Sequence, residues 1–226
     1  MHKARRSLLM LTMLAASGCS STDRHHLDDV AGDFCVPEGQ RVADVWWAPN
    51  DAPGTPQAFA FAGCDGLWGD EAARCPFPGA ISGGVVEPRT AFRSQRWSDV
   101  GAKSKLRSET LLDSSTKMVS TADGTLVVRH GKQWDVWTHR VLPGEPSGSP
   151  HISDDDVLLA SCLAESDPLP GDASWPAGLH CRRSVLTQNY SLSYAFRSPS
   201  LSEDALVRLD GVVSSVIDQW RCGNKR

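Results

Sequence analysis

The sequence predicts an α+β fold, mainly antiparallel sheet with a C-terminal amphipathic helix, stapled by disulfides. Three observations carry this. Tyr190 to Arg197 alternates with a period of two. Asp123-Gly124 and Gly131-Lys132 mark two tight turns between short apolar runs. Ser202 to Gly223 switches to a helical period. Strands followed by a terminal helix, rather than strict strand–helix alternation, read as α+β.

The first eighteen residues read as a leader outside the fold. His2, Lys3, Arg5 and Arg6 form a charged start, Ser7 to Ala16 is a short apolar run, and small residues lead to Cys19. This is the layout of a secretory signal, and the run is shorter than the roughly 20 apolar residues that span a bilayer. Leu14 to Cys19 resembles a lipobox, in which the chain is cut just before a cysteine that becomes lipid-modified. Ala16 departs from the usual Leu at the third position before the cysteine, while Ser17 and Gly18 fit. Cys19 is therefore the expected lipidation site. Ser20, rather than Asp, favours the outer membrane, facing the periplasm. Residues 19–33 are polar and read as a tether.

The remaining 34–226 form one α+β periplasmic domain, with a candidate subdomain seam at the Gly/Pro/Ser-rich stretch 143–150. Removing the leader takes away three of 23 basic residues, leaving 20 against 27 acidic, a net charge of −7. That excess disfavours nucleic acid as a partner.

Val42, Val45, Trp46 and Trp47 suggest a strand, followed by a Pro/Gly turn at 50–56. Phe59 to Cys64 alternates large and small side chains, as a half-buried strand does. Ser82-Gly83-Gly84 reads as a turn, Val85 and Val86 as apolar structure, and Pro88 as a break. Met118 and Val119, then Leu126 to Val128, then Trp134 to Thr138 form a three-stranded meander joined by the two tight turns. Val157 to Cys162 reads as a buried strand. Cys181 to Thr187 and Tyr190 to Arg197 read as a strand pair, with Tyr190, Leu192, Tyr194 and Phe196 on one face. Ser202 is an N-cap candidate, and Glu203 and Asp204 suit the helix's positive end. Leu206, Leu209, Val213, Val216, Ile217 and Trp220 make one stripe, and Gly223 supplies the stop.

Six cysteines follow Cys19: Cys35, Cys64, Cys75, Cys162, Cys181 and Cys222. An even count in an oxidising compartment reads as disulfides, with fifteen pairings open. The preferred set is Cys64–Cys75 and Cys162–Cys181, which close short loops, and Cys35–Cys222, which ties the start of the domain to the end of its last helix. Closing so long a loop constrains the unfolded chain by about 4–5 kcal/mol.

No chemistry-bearing motif stands out. The chain has no G-x-S-x-G elbow, no H-E-x-x-H and no P-loop. Asp154, Asp155 and Asp156 lack the ligand pattern of a calcium loop and read as a solvated turn. His130, His139, His151 and His180 are scattered without nameable partners. The expectation is a non-enzymatic protein with no metal and no cofactor. Tryptophan is the unusual feature, with eight residues. Trp134 and Trp137 point to opposite faces of one strand. One is therefore expected in the core, and the other becomes a candidate contact residue. The same reasoning applies to Trp46 and Trp47.

Phe34-Cys35-Val36-Pro37, Val45 to Pro49 with Asp51 to Pro53, Phe59 to Cys64, and Asp123 to Trp137 together resemble a group of proteobacterial envelope lipoproteins. That group includes immunity proteins that protect against phospholipase effectors of type VI secretion. The resemblance implies a periplasmic protein that binds and blocks an incoming lipase, and it assigns no contact residues. The competing expectation is a structural or assembly lipoprotein of an envelope complex.

Overall fold

The computed structural model describes residues 24–45, 58–65, 67, 69–100, 116–120, 125–130, 132–138, 152, 154–164, 179–197 and 202–223. The leader, Cys19, Trp46, Trp47, Trp68, Trp175, His139, His151 and the candidate seam at 143–150 lie outside them.

Two short strands, β1 (Arg24–His26) and β2 (Asp33–Cys35), pair antiparallel. The rest of the strands form a nine-stranded sheet. These are β3 (Val42–Val45), β4 (Ala58–Ala62), β5 (Ile81–Pro88), β6 (Thr116–Ser120), β7 (Thr125–His130), β8 (Gln133–Thr138), β9 (Leu158–Ala164), β10 (Leu179–Leu186) and β11 (Tyr190–Arg197). Their order is β3-β4-β5-β11-β10-β9-β8-β7-β6, and every pairing is antiparallel. Helix α1 (Gly69–Arg74), the single turn α2 (Trp97–Val100) and the long α3 (Glu203–Gln219) complete the architecture. The fold is α+β as expected. β8 and β9, which lie on either side of residues 143–150 in the chain, are neighbours in this sheet.

α3 begins where the sequence places it. The Ser202 side chain accepts from the Ala205 N–H, and Glu203 and Asp204 occupy the first turn. Its stripe of Leu206, Val213, Val216 and Ile217, with Trp220 beyond, is buried in the main core. On the sheet side that core takes Tyr190, Leu192, Tyr194 and Phe196, the period-two face of β11. Trp220 meets the Phe77 ring edge-on at 5.6 Å. Burying an aromatic or aliphatic side chain of this kind contributes about 1.5–3 kcal/mol.

The second face of the sheet's far end is covered too. Leu126, Val128 and Trp137 form a separate buried cluster with Trp97, whose ring meets Trp137 edge-on at 5.1 Å. This corrects one expectation. Trp134 and Trp137 do point to opposite faces, but both are buried, at 6% and 1% exposure. Neither is a surface contact residue, because α2 supplies a lid that strand periodicity cannot announce.

Three further readings change. Residues 24–33, read as part of the polar tether, are folded: β1 pairs with β2, and His25, Leu27 and Ala31 are buried. Ser82-Gly83-Gly84 is not a turn but part of β5. There glycine permits close approach: a Cβ on Gly84 would stand 2.5 Å from the Ser193 carbonyl oxygen and 2.6 Å from the Phe61 ring. Gly83 has φ +149°, a conformation that favours glycine. In the acidic run, Asp154 and Asp155 are exposed as expected, but Asp156 is buried. Its carbonyl accepts from the Trp97 N–H, and its carboxylate accepts from the Thr138 hydroxyl at 3.4 Å.

All three preferred cysteine pairings form. Cys35–Cys222, Cys64–Cys75 and Cys162–Cys181 are disulfides with sequence separations of 187, 11 and 19. Cys162 and Cys181 are directly opposed on β9 and β10. Cys35–Cys222 sits in a backbone ladder of its own: the Cys35 N–H donates to the Trp220 carbonyl, and the Cys222 N–H to that of Asp33.

Candidate interaction groove

The sheet divides between β9 and β10. Their pairing runs from Leu179↔Ala164 to Arg182↔Ser161 and stops, while β10 goes on pairing with β11 to Leu186↔Ser191. The cause is local. Opposite β8, the register of β9 shifts between Ala160 and Leu158, so Leu159 is an extra residue. An extra residue bends and twists its strand. Beyond the bulge, β9 leaves β10 and takes another neighbour: the Leu158 N–H donates to the Gln95 carbonyl, and Arg96 bridges to Val157.

The parting leaves a groove of about 580 Å³. Phe92, Gln95 and Arg96 lie along one side, and Ser184, Val185 and Leu186 of β10 along the other. α3 contributes Asp210, Gly211 and Ser214 to the lining. Leu186 is 44% exposed.

A buried ion pair braces the groove. Arg183 donates through Nε and Nη2 to the two Asp210 oxygens at 2.7 and 2.5 Å, and through Nη1 to the Leu159 carbonyl at 2.6 Å. The guanidinium thus takes the carbonyl that the bulge removes from the ladder. The Tyr194 hydroxyl also donates to Asp210, at 2.6 Å. Burial works against the charge on Arg183, but the Asp210 carboxylate outweighs it and holds the guanidinium above its ordinary pKa. Burial, then the same carboxylate, pushes the Tyr194 phenol well up. Asp210 is therefore committed, and the Arg96 side chain has no partner among the described residues. The charge the groove leaves unmatched is positive.

A second buried acid lies on β8. Asp135, 5% exposed, accepts from the Ser161 hydroxyl at 2.6 Å and from the Gln133 amide at 3.0 Å. Burial raises its pKa, and these two hydrogen bonds only partly offset the rise. The native state therefore favours the protonated acid. Stability associated with this group is fully present below the ordinary carboxylate value of 3.8 and is lost as pH climbs through the raised folded value. Asp135→Asn is expected to be more stable than the parent near neutral pH, with the difference vanishing at about pH 3–4. Urea midpoints at the two pH values check this; a difference that persists in acid would sink it.

At the other end, Glu38 to Arg41 and Glu71 to Arg74 line a smaller depression of about 300 Å³. Its Arg41–Glu71 pair is exposed and 3.9 Å apart, so it contributes little. His25, which no sequence motif marks, is buried against Phe59 with its Nδ1 2.6 Å from Asp44 Oδ1. It fastens β1 to β3. His130 lies in β7 and His180, half-buried, in β10, far apart in the strand order. Among the described residues, no group of three or more His, Cys, Asp or Glu is placed to hold a metal, and no helix is long and apolar enough to cross a membrane.

The structure brings all six candidate disulfide cysteines into pairs, while the expected lipidation site Cys19 lies outside the described residues. The groove was not legible in the sequence, since nothing in Val157 to Cys162 marks where a bulge will fall. No family model, curated protein or solved structure matches the chain.

Proposed function

We propose that this chain is a lipid-anchored periplasmic protein of the outer membrane that binds and blocks a phospholipase effector of type VI secretion. The observation that carries the reading is the cysteine economy. Of seven cysteines, six pair with one another in three disulfides, leaving Cys19 at the end of the lipobox. Such pairing suits an oxidising envelope compartment. The first strand among the described residues begins at Arg24, five residues beyond Cys19. Fully extended, five residues reach at most roughly 18 Å, so the anchor would keep the domain close to the bilayer. Tethering raises the inhibitor's effective concentration at the surface the lipase attacks. The groove offers a recessed binding surface whose unmatched charge opposes the net negative charge of the domain.

The test is a competition between a gene-deletion strain and its parent, with secretion intact or disabled in the parent. The deletion strain is expected to be depleted only beside the secreting parent. The wild-type gene should rescue it, and Cys19→Ala should rescue less while leaving the membrane fraction. Equal survival in both mixtures, or poor growth alone, would instead favour an assembly role in an envelope complex.

A further inference from the structure

The groove between β9 and β10 exposes something rarer than an apolar surface: the backbone edge of a strand in the middle of a sheet. The Thr187 N–H donates to the Tyr190 carbonyl, so Thr187 and Tyr190 are a hydrogen-bonded pair. In an antiparallel ladder such pairs alternate along the strand. With Val185 opposite Leu192 and Arg183 opposite Tyr194, the odd-numbered residues turn their N–H and C=O toward β11. The even-numbered ones turn the other way. His180 and Arg182 meet β9 there, but Ser184 and Leu186 have no strand beside them among the described residues. Unpaired strand edges are templates for another chain.

We propose that Ser184 to Leu186 of β10 is a strand-addition site for an extended segment of a partner protein, bearing a carboxylate that pairs with Arg96. Backbone bonds to Ser184 and Leu186 would supply affinity, and alternate side chains specificity, as in other cases of β-augmentation. The sign of the charge follows from the committed state of Asp210 and from the Arg96 guanidinium, which has no partner among the described residues. The groove's 580 Å³ suits a few residues of extended chain rather than a helix of 10–12 Å diameter. This deepens the binding reading above by naming the kind of segment bound, and it rests on that reading only for the partner's identity.

The probe is the peptide acetyl-Thr-Val-Glu-Val-Thr-amide, with lysine in place of glutamate in one control and proline in place of both valines in another. Amide exchange is followed by NMR on the oxidised domain. In the free protein, Ser184 and Leu186 are expected to exchange fast, while Arg183 and Val185 are protected. Saturating glutamate peptide should slow Ser184 and Leu186 by at least about tenfold, bind about tenfold tighter than the lysine peptide, and lose to it on Arg96→Glu. The proline peptide should not protect them. Protection already present in the free monomer would mean that the chain's own segments fill the slot. Protection that grows with protein concentration would mean a second copy fills it. Either result overturns the proposal, as does equal binding of the two charged peptides or none. A failed competition assay would leave this result untouched, so the two readings fail separately.

Discussion

Arg183→Leu is expected to lower the unfolding free energy by about 3–5 kcal/mol, the range for removing one partner of a buried ion pair. The side chains of Arg183 and Asp210 are only 8% and 18% exposed, so water does little to screen what is left behind. The variant strands a largely buried carboxylate whose remaining side-chain donor among the described residues is the Tyr194 hydroxyl, and it leaves the Leu159 carbonyl without the guanidinium that replaced its ladder partner. The companion variant Arg183→Leu/Asp210→Leu separates charge from packing. It removes both ions and should regain most of the loss, because well-packed apolar replacements of buried pairs are often neutral or better. A residual of about 1 kcal/mol is expected from the Tyr194 hydroxyl, which then lacks its acceptor. Denaturant midpoints of the three oxidised proteins decide the matter. A single variant within about 1 kcal/mol of the parent would show that the pair is not what joins α3 to the sheet.

Removing the Cys35–Cys222 bridge should cost at least as much, about 4–5 kcal/mol, because its loop encloses almost the whole domain. The Cys64–Cys75 loop, with a separation of 11, predicts about 3 kcal/mol. The two effects act differently on the native state. Cys64 is buried beside Phe77, whereas Cys35 is exposed and Cys222 only partly covered, so cutting the long bridge removes little packing. The backbone bonds flanking it, from Cys35 N–H to Trp220 and from Cys222 N–H to Asp33, hold the same geometry without it. Cys35→Ser/Cys222→Ser should therefore fold to the native structure with a much lower unfolding midpoint. Cys64→Ala/Cys75→Ala should lose less. Equilibrium unfolding without reductant measures both, and a reversed ranking would argue that strain or residual unfolded structure, rather than loop closure, dominates.

A good deal of this molecule was determined by the sequence alone. Hairpin turns, the alternation of Tyr190 to Phe196 and the stripe from Leu206 to Trp220 are local signals, set by turn chemistry and side-chain period. The strands and helix they mark stand where they were read. The disulfide preference also came from chain distance alone, since short loops close easily and the ends of a domain tend to lie near each other.

Only the tertiary structure decided which surfaces are covered and where the sheet parts. Trp137 is buried because α2 brings Trp97 onto it, and residues 24–32 fold because His25 and Phe34 find Phe59. Gly83 and Gly84 belong to a strand because Phe61 and β11 crowd the space their side chains would fill. The groove exists because one extra residue in β9 faces a partner strand whose register was set elsewhere. Each outcome depends on contacts between segments far apart in the chain, and the free energy of such contacts comes from packing and desolvation, which local periodicity does not encode.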